Sequence, residues 1–124
     1  PLLMAPFGAT CVLLFAAPTA PLAQPRNVIG GHLIAALVGI VLLQLLGNGP
    51  RPMAIAVGLA IASMQLCRAV HPPAGANPLV IMLAGIDQYS FLLTPVLAGS
   101  VTLVVVALVI NNLGAGKRWP SYWL

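Results

Sequence analysis

Charge is what this chain has least of. Its 124 residues include one acid, Asp87, five lysines and arginines and two histidines, so charged side chains make up 5% of the sequence, against about 25% in a soluble domain. Too few solvated groups remain to cover a globule in water. With 60% apolar residues and a mean hydropathy of +1.06, the chain is expected to sit in a lipid bilayer. The shortage extends to catalytic groups. General acid–base or metal chemistry needs two or more of Asp, Glu, His and Cys to converge, and no triad or phosphate loop is visible. We therefore expect no enzyme, no cofactor and no metal site. Cys11 and Cys67 lie apart in apolar stretches without CxxC spacing and read as small core residues.

The five bases give a net charge of +4. On one polar face they would suggest a nucleic-acid partner. Instead Arg26, Arg51, Arg68, Lys117 and Arg118 lie between or beyond apolar runs, where membrane topology signals are found, so no nucleic acid is expected. At about 20 residues per span, residues 1–124 make one all-α membrane domain of about five segments. The chain begins on proline and residues 2–17 lack a signal-peptide pattern, so an upstream span is expected to be missing.

Val28–Leu46, Phe91–Ile110 and Met53–Val70 are long enough to span; the last ends on Arg68, which must snorkel, pair or face a hydrated cavity. Leu2–Ala17 and Asn77–Ile86 are interrupted or flanked by Pro6, Pro72, Pro73 and Pro78, leaving half-helices of about 15 Å each. Small residues recur at helical spacing, Gly31, Ala35 and Gly39 in one span and Ala54, Gly58 and Ala62 in another, which predicts close helix packing. The tail, Lys117-Arg118-Trp119-Pro120-Ser121-Tyr122-Trp123, reads as an anchor of bases and aromatic rings at the membrane interface.

A shift of 67 residues lays Pro6-Phe7-Gly8-Ala9-Thr10 over Pro73-Ala74-Gly75-Ala76-Asn77. Each copy is a proline-led half-helix followed by a full span. A unit of three crossings is odd in number, so successive units insert with opposite orientation, the inverted-repeat arrangement of many transporters. Arg26, Arg68, His71, Lys117 and Arg118 fall on one side and Arg51 and Asp87 on the other. The first side is expected to face the cytoplasm or stroma.

The prolines predict an extended backbone through His71-Pro72-Pro73-Ala74-Gly75-Ala76-Asn77-Pro78, tolerated at membrane depth only where protein or a wet cavity surrounds it. The half-helix starts at Gly8, Ala9 and Thr10 and at Gly75, Ala76 and Asn77 would then aim unpaired N–H groups at a midplane site, with Thr10 and Asn77 as caps or ligand contacts. An anion is the natural guest, since a cation prefers carboxylates or carbonyl rings. Arg26 and Asn27 could serve as donors at the mouth or only as topology signals. Arg68 and His71 would attract the anion, and His71 could link a proton to it or bond a freed carbonyl. His32, beside Gly31, reads as a structural residue that bonds across helices. The plain alternative is that the prolines and glycines only kink and pack helices.

The Pro6–Thr10 motif, the run Pro21-Leu22-Ala23-Gln24-Pro25-Arg26-Asn27-Val28-Ile29-Gly30-Gly31-His32 and the motif His71-Pro72-Pro73-Ala74-Gly75-Ala76 together resemble the HPP family of small integral membrane proteins. That resemblance implies a membrane domain of four to five crossings and, by likeness to cyanobacterial and plastid-envelope members, nitrite transport. The expected protein is a homo-oligomer in a bacterial inner membrane or plastid inner envelope whose partners are a small inorganic anion and the bilayer. The rival expectation is a non-transporting membrane module that scaffolds or anchors a sensor.

Overall fold

A computed structural model describes residues 3–114 and 116–124; Leu2, the predicted start of the first segment, lies outside them. Among the described residues the chain is all helical, with five α-helices in the order α1 (Pro6–Ala16), α2 (Pro25–Leu46), α3 (Pro50–Leu66), α4 (Asn77–Ala84) and α5 (Ala98–Asn111). All but α5 carry proline at the first or second position, where the missing N–H has no intrahelical partner to lose. Gly85, left-handed at φ 68, ends α4, and its amide bonds back to the final turn, the usual glycine termination.

Two segments meet the length and hydropathy of a membrane span, α2 with 22 residues and Tyr89–Asn111 with 23. The predicted third span is shorter than expected. Helix α3 holds 17 residues, about 25 Å, and Cys67–Val70 leave it. The span expected at Phe91–Ile110 is not one rod either. A 3-10 turn at Tyr89–Leu92 and a wide turn at Leu93–Leu97 precede α5, with Thr94 extended at φ −142 and ψ 118. Pro95 drives its predecessor out of the helical region.

Helix α2 is the central post, packed on α3, α4 and α5. Two glycines make that possible. A Cβ on Gly31 would lie 2.6 Å from His71 Cβ, and one on Gly39 would lie 2.8 Å from Pro78 Cα, so the proline-led segment runs hard against α2. The other predicted stripe behaves differently. Ala54, Gly58 and Ala62 are exposed and nothing lies within 4 Å of a Cβ built on Gly58. It is Ala56, Ala60 and Met64 that turn inward; every face of α3 is apolar or small, so spacing alone does not identify the packed one.

Large apolar side chains stay uncovered along the helices, among them Ile55, Leu59, Val101, Val105 and Val109, a surface suited to acyl chains and unlike that of soluble monomers. The tail departs from the predicted anchor. Trp119 is buried with Leu14, Val28, Val104 and Ala107, held by a two-way bond in which its backbone N–H donates to Asn112 Oδ1 at 2.7 Å and its backbone carbonyl accepts from Asn112 Nδ2 at 2.7 Å. Trp123 remains exposed. The cysteines are not core residues, Cys11 being half-buried and Cys67 exposed, because Cys67 falls where α3 has already ended.

Candidate functional site

Four polar side chains, Thr10, His32, His71 and Asn77, are each fully shielded from solvent and form one cluster. They come from α1, α2, the segment before the Pro72–Ala76 turn, and the first residue of α4. Thr10 Oγ1 lies 2.7 Å from His32 Nε2 and 2.9 Å from His71 Nε2. On its other side His32 presents Nδ1 to the Asn77 amide, 3.0 Å from Nδ2 and 3.3 Å from Oδ1. Asn77 Nδ2 also donates to the His32 carbonyl at 3.0 Å. His71 Nδ1 reaches the Leu22 carbonyl at 2.8 Å. The two imidazoles stand 4.9 Å apart at 67°, and the Phe7 ring meets His32 edge-on at 5.0 Å.

Thr10 and Asn77 are the matched positions of the 67-residue shift, and both close on the same imidazole. The two side chains therefore flank His32, Thr10 at its Nε2 and Asn77 at its Nδ1. His32 lies seven residues into α2, about 10 Å from its start, a little short of the helix midpoint. Sequence reasoning gave His32 only a structural part. The available signal was its isolation: no other polar side chain occurs between Asn27 and Gln44, and an ionisable residue inside a span is a functional hypothesis by default.

The other predicted residues divide into two groups. Gly8, Ala9 and Ala76 are exposed and Gly75 is half-buried. Gly8 lines an apolar groove with Phe7 and Gly99, and Ala9 another with Pro72 and Pro73. The first amides are already engaged: Phe7 N–H donates to the Met4 carbonyl at 3.0 Å, Gly8 N–H to Ala5 at 3.0 Å and Ala74 N–H to His71 at 2.9 Å. Neither Thr10 nor Asn77 caps its helix. The stretch expected to be extended is so only at His71, φ −140 and ψ 103, after which Pro72–Ala76 wind into a 3-10 turn. Two prolines suit the opening of a helical turn.

Arg26, Asn27 and Arg68 gather at the near end. Arg26 Nε donates to the Arg68 carbonyl at 2.9 Å and Nη2 to the Cys67 carbonyl at 2.6 Å, closing the carbonyls that the end of α3 leaves free. Asn27 Nδ2 donates to the Val70 carbonyl at 2.6 Å. Above them is a pocket of about 430 Å³ lined by Arg26, Arg68, Tyr122 and Leu124. The tail crosses here. Tyr122 O–H contacts the Pro21 carbonyl and Asn27 Oδ1, while Ser121 N–H donates to Oε1 of buried Gln24. Gln24 and Tyr122, both overlooked in the sequence, thus tie the tail to the mouth. The one acid lies at the far end, where the Asp87 carbonyl accepts from Gln44 Nε2 at 2.8 Å.

Arg68 holds φ 54, a left-handed conformation that costs an L residue about 1–2 kcal/mol and glycine far less. Arg68→Gly is therefore expected to raise the thermal midpoint in detergent slightly while removing one guanidinium from the mouth. A lowered midpoint would show that the side chain contributes packing that outweighs the backbone strain.

Among known proteins, the family model for the HPP transmembrane region matches residues 1–120. Two transmembrane proteins of Dictyostelium discoideum are similar over 98% of this chain, one at 35% identity covering 41% of its own length and one at 38% covering 45%. The chain thus spans less than half the length of these curated relatives. No solved structure matches.

Proposed function

The chain belongs to the HPP transmembrane-region family, and on that premise we propose that it carries a small monovalent anion, nitrite foremost, across its membrane. The observation that carries the reading is the pocket whose charged side-chain lining is Arg26 and Arg68, facing no Asp or Glu side chain. Guanidinium groups offer forked N–H donors to a planar oxyanion, and a site lined by one sign of charge concentrates ions of the other. From the mouth, Asn27, His71, Thr10 and Asn77 supply polar steps inward, and the small residues Gly8, Ala9, Gly75 and Ala76 let the half-helices shift. The cluster is closed to solvent in this state, so passage requires the half-helices to part. The proposal involves no enzymatic step, cofactor or nucleic acid, and it places a homo-oligomer in a bacterial inner membrane or plastid inner envelope.

Purified protein in liposomes tests this by uptake of nitrite, nitrate, formate and chloride, with protein-free vesicles subtracted. Saturable uptake of at least one anion, reduced in Arg26→Gln, is expected. Correctly assembled vesicles that take up none contradict the proposal. One observation favours the rival reading of a non-transporting module: the relatives are more than twice as long as the matched region, leaving room for another domain that a membrane anchor would serve.

A further inference from the structure

The bond directions within the buried cluster are constrained by chemistry. A carbonyl only accepts, so the 2.8 Å contact to Leu22 places hydrogen on His71 Nδ1. A neutral His71 then offers Nε2 as an acceptor, and the Thr10 hydroxyl, 2.9 Å away, donates to it rather than to the Pro6 carbonyl, which lies farther off at 3.3 Å. With its single proton so used, Thr10 Oγ1 accepts at 2.7 Å from His32 Nε2, which fixes the hydrogen of His32 on Nε2. His32 Nδ1 is left to accept from Asn77 Nδ2 at 3.0 Å. The result is one unbroken run of donors, Asn77 to His32 to Thr10 to His71 to the Leu22 carbonyl, with every polar atom of both rings satisfied.

We propose that His32, Thr10 and His71 form a proton-transfer chain that carries one proton between the α4 side of α2 and the arginine-lined mouth. A proton arriving at His32 Nδ1 makes that ring a cation; its new N–H displaces the Asn77 Nδ2 donor 3.0 Å away, and the amide turns to bring Oδ1, 3.3 Å away, into line as acceptor. The Nε2–H proton then passes to Thr10 Oγ1 as the hydroxyl proton passes to His71 Nε2. His32 is left neutral with hydrogen on Nδ1, Thr10 again carries one hydrogen, and His71 is a cation donating to Thr10 and to Leu22. One proton enters and one positive charge moves between the rings, with the Asn77 amide the one group that must turn in that step. When the cluster opens, His71 gives its Nδ1 proton to water on the mouth side; the rings are then left in exchanged tautomers, and each must turn over before the next proton passes.

Few charged or titratable groups face the two rings. Helix α1 brings only the Thr10 hydroxyl and α4 only the Asn77 amide. The mouth brings Arg26 and Arg68, with the Tyr122 hydroxyl on Asn27. No Asp or Glu side chain is near to trap the charge, and two cationic rings 4.9 Å apart would repel. For its purpose, coupling protons to cargo, the chain rests on the transport reading; for its existence it rests on the bonding pattern alone.

Two measurements decide it. In liposomes holding a pH-sensitive dye, with nitrate and nitrite as probes, the number of protons moved per anion taken up is expected to fall at least tenfold in Thr10→Val and to be kept in Thr10→Ser. Wild-type protein that takes up an anion without moving protons, or a Thr10→Val ratio equal to wild type, overturns the chain while leaving anion transport standing. If no anion is taken up, the transport reading falls, and nitrogen NMR of the wild-type protein labelled in its two histidines decides the chain. Opposite neutral tautomers, hydrogen on Nε2 of one ring and Nδ1 of the other, are expected. Two rings in the same tautomer overturn it.

Discussion

Gly31→Ala is expected to lower the thermal midpoint of the purified protein and to break up the buried polar cluster. The new Cβ would lie 2.6 Å from His71 Cβ and 2.8 Å from the Ala69 carbonyl oxygen. Neither is the free end of a flexible side chain, so backbone must move, and overpacking of this kind costs about 1–3 kcal/mol or more. Alanine is favoured over glycine inside a helix by about 1 kcal/mol, which the clash outweighs. Gly58→Ala is the counterpart, because nothing lies within 4 Å of its added Cβ. There the helical gain stands alone and the midpoint is expected to rise. Thermal melts of both proteins in one detergent check the pair. Equal shifts of the same sign would mean that the segment at His71 does not press on α2.

Asn77→Leu carries the second large effect. The change keeps much of the side-chain volume but removes the Nδ2 donor 3.0 Å from His32 Nδ1. A fully buried acceptor left unpaired costs about 1–3 kcal/mol, whereas removing both partners together is close to neutral. Asn77→Leu alone is therefore expected to lower the midpoint clearly, and to lower it much less in a His32→Leu background. A double-mutant cycle of thermal midpoints reads that coupling. Purely additive shifts would contradict the described bond.

Much of this was legible in the sequence, for identifiable reasons. Hydropathy marked the lipid-facing segments because lipid demands it along their whole length. The 67-residue shift paired Thr10 with Asn77, and in the fold both side chains close on His32, Thr10 from the fifth position of α1 and Asn77 from the first of α4. The sequence sets Arg26 after Pro25 and Arg68 before Pro72, and in the fold the two bases line one pocket.

Other features were hidden because a one-dimensional pattern does not distinguish their alternatives. In lipid the packed and exposed faces of α3 are both apolar, so Ala54, Gly58 and Ala62 mimicked the seam that Ala56 and Ala60 make. Bases and aromatic rings after a span describe an interfacial anchor and equally the strap that buries Trp119. The break at Thr94 was visible in Pro95 and outweighed by the length of the apolar run. His32 was read as packing because its partners lie 22 and 45 residues away along the chain. Only folding brings Thr10 and Asn77 to opposite sides of its ring.

Binding of nitrite to the purified protein, followed by titration calorimetry at low ionic strength, tests most directly whether the arginine-lined mouth receives an anion. The account predicts saturable binding with one site per chain, lost in Arg26→Gln and absent for a cation such as potassium. No saturable binding, or equal binding to Arg26→Gln and wild type, would contradict it.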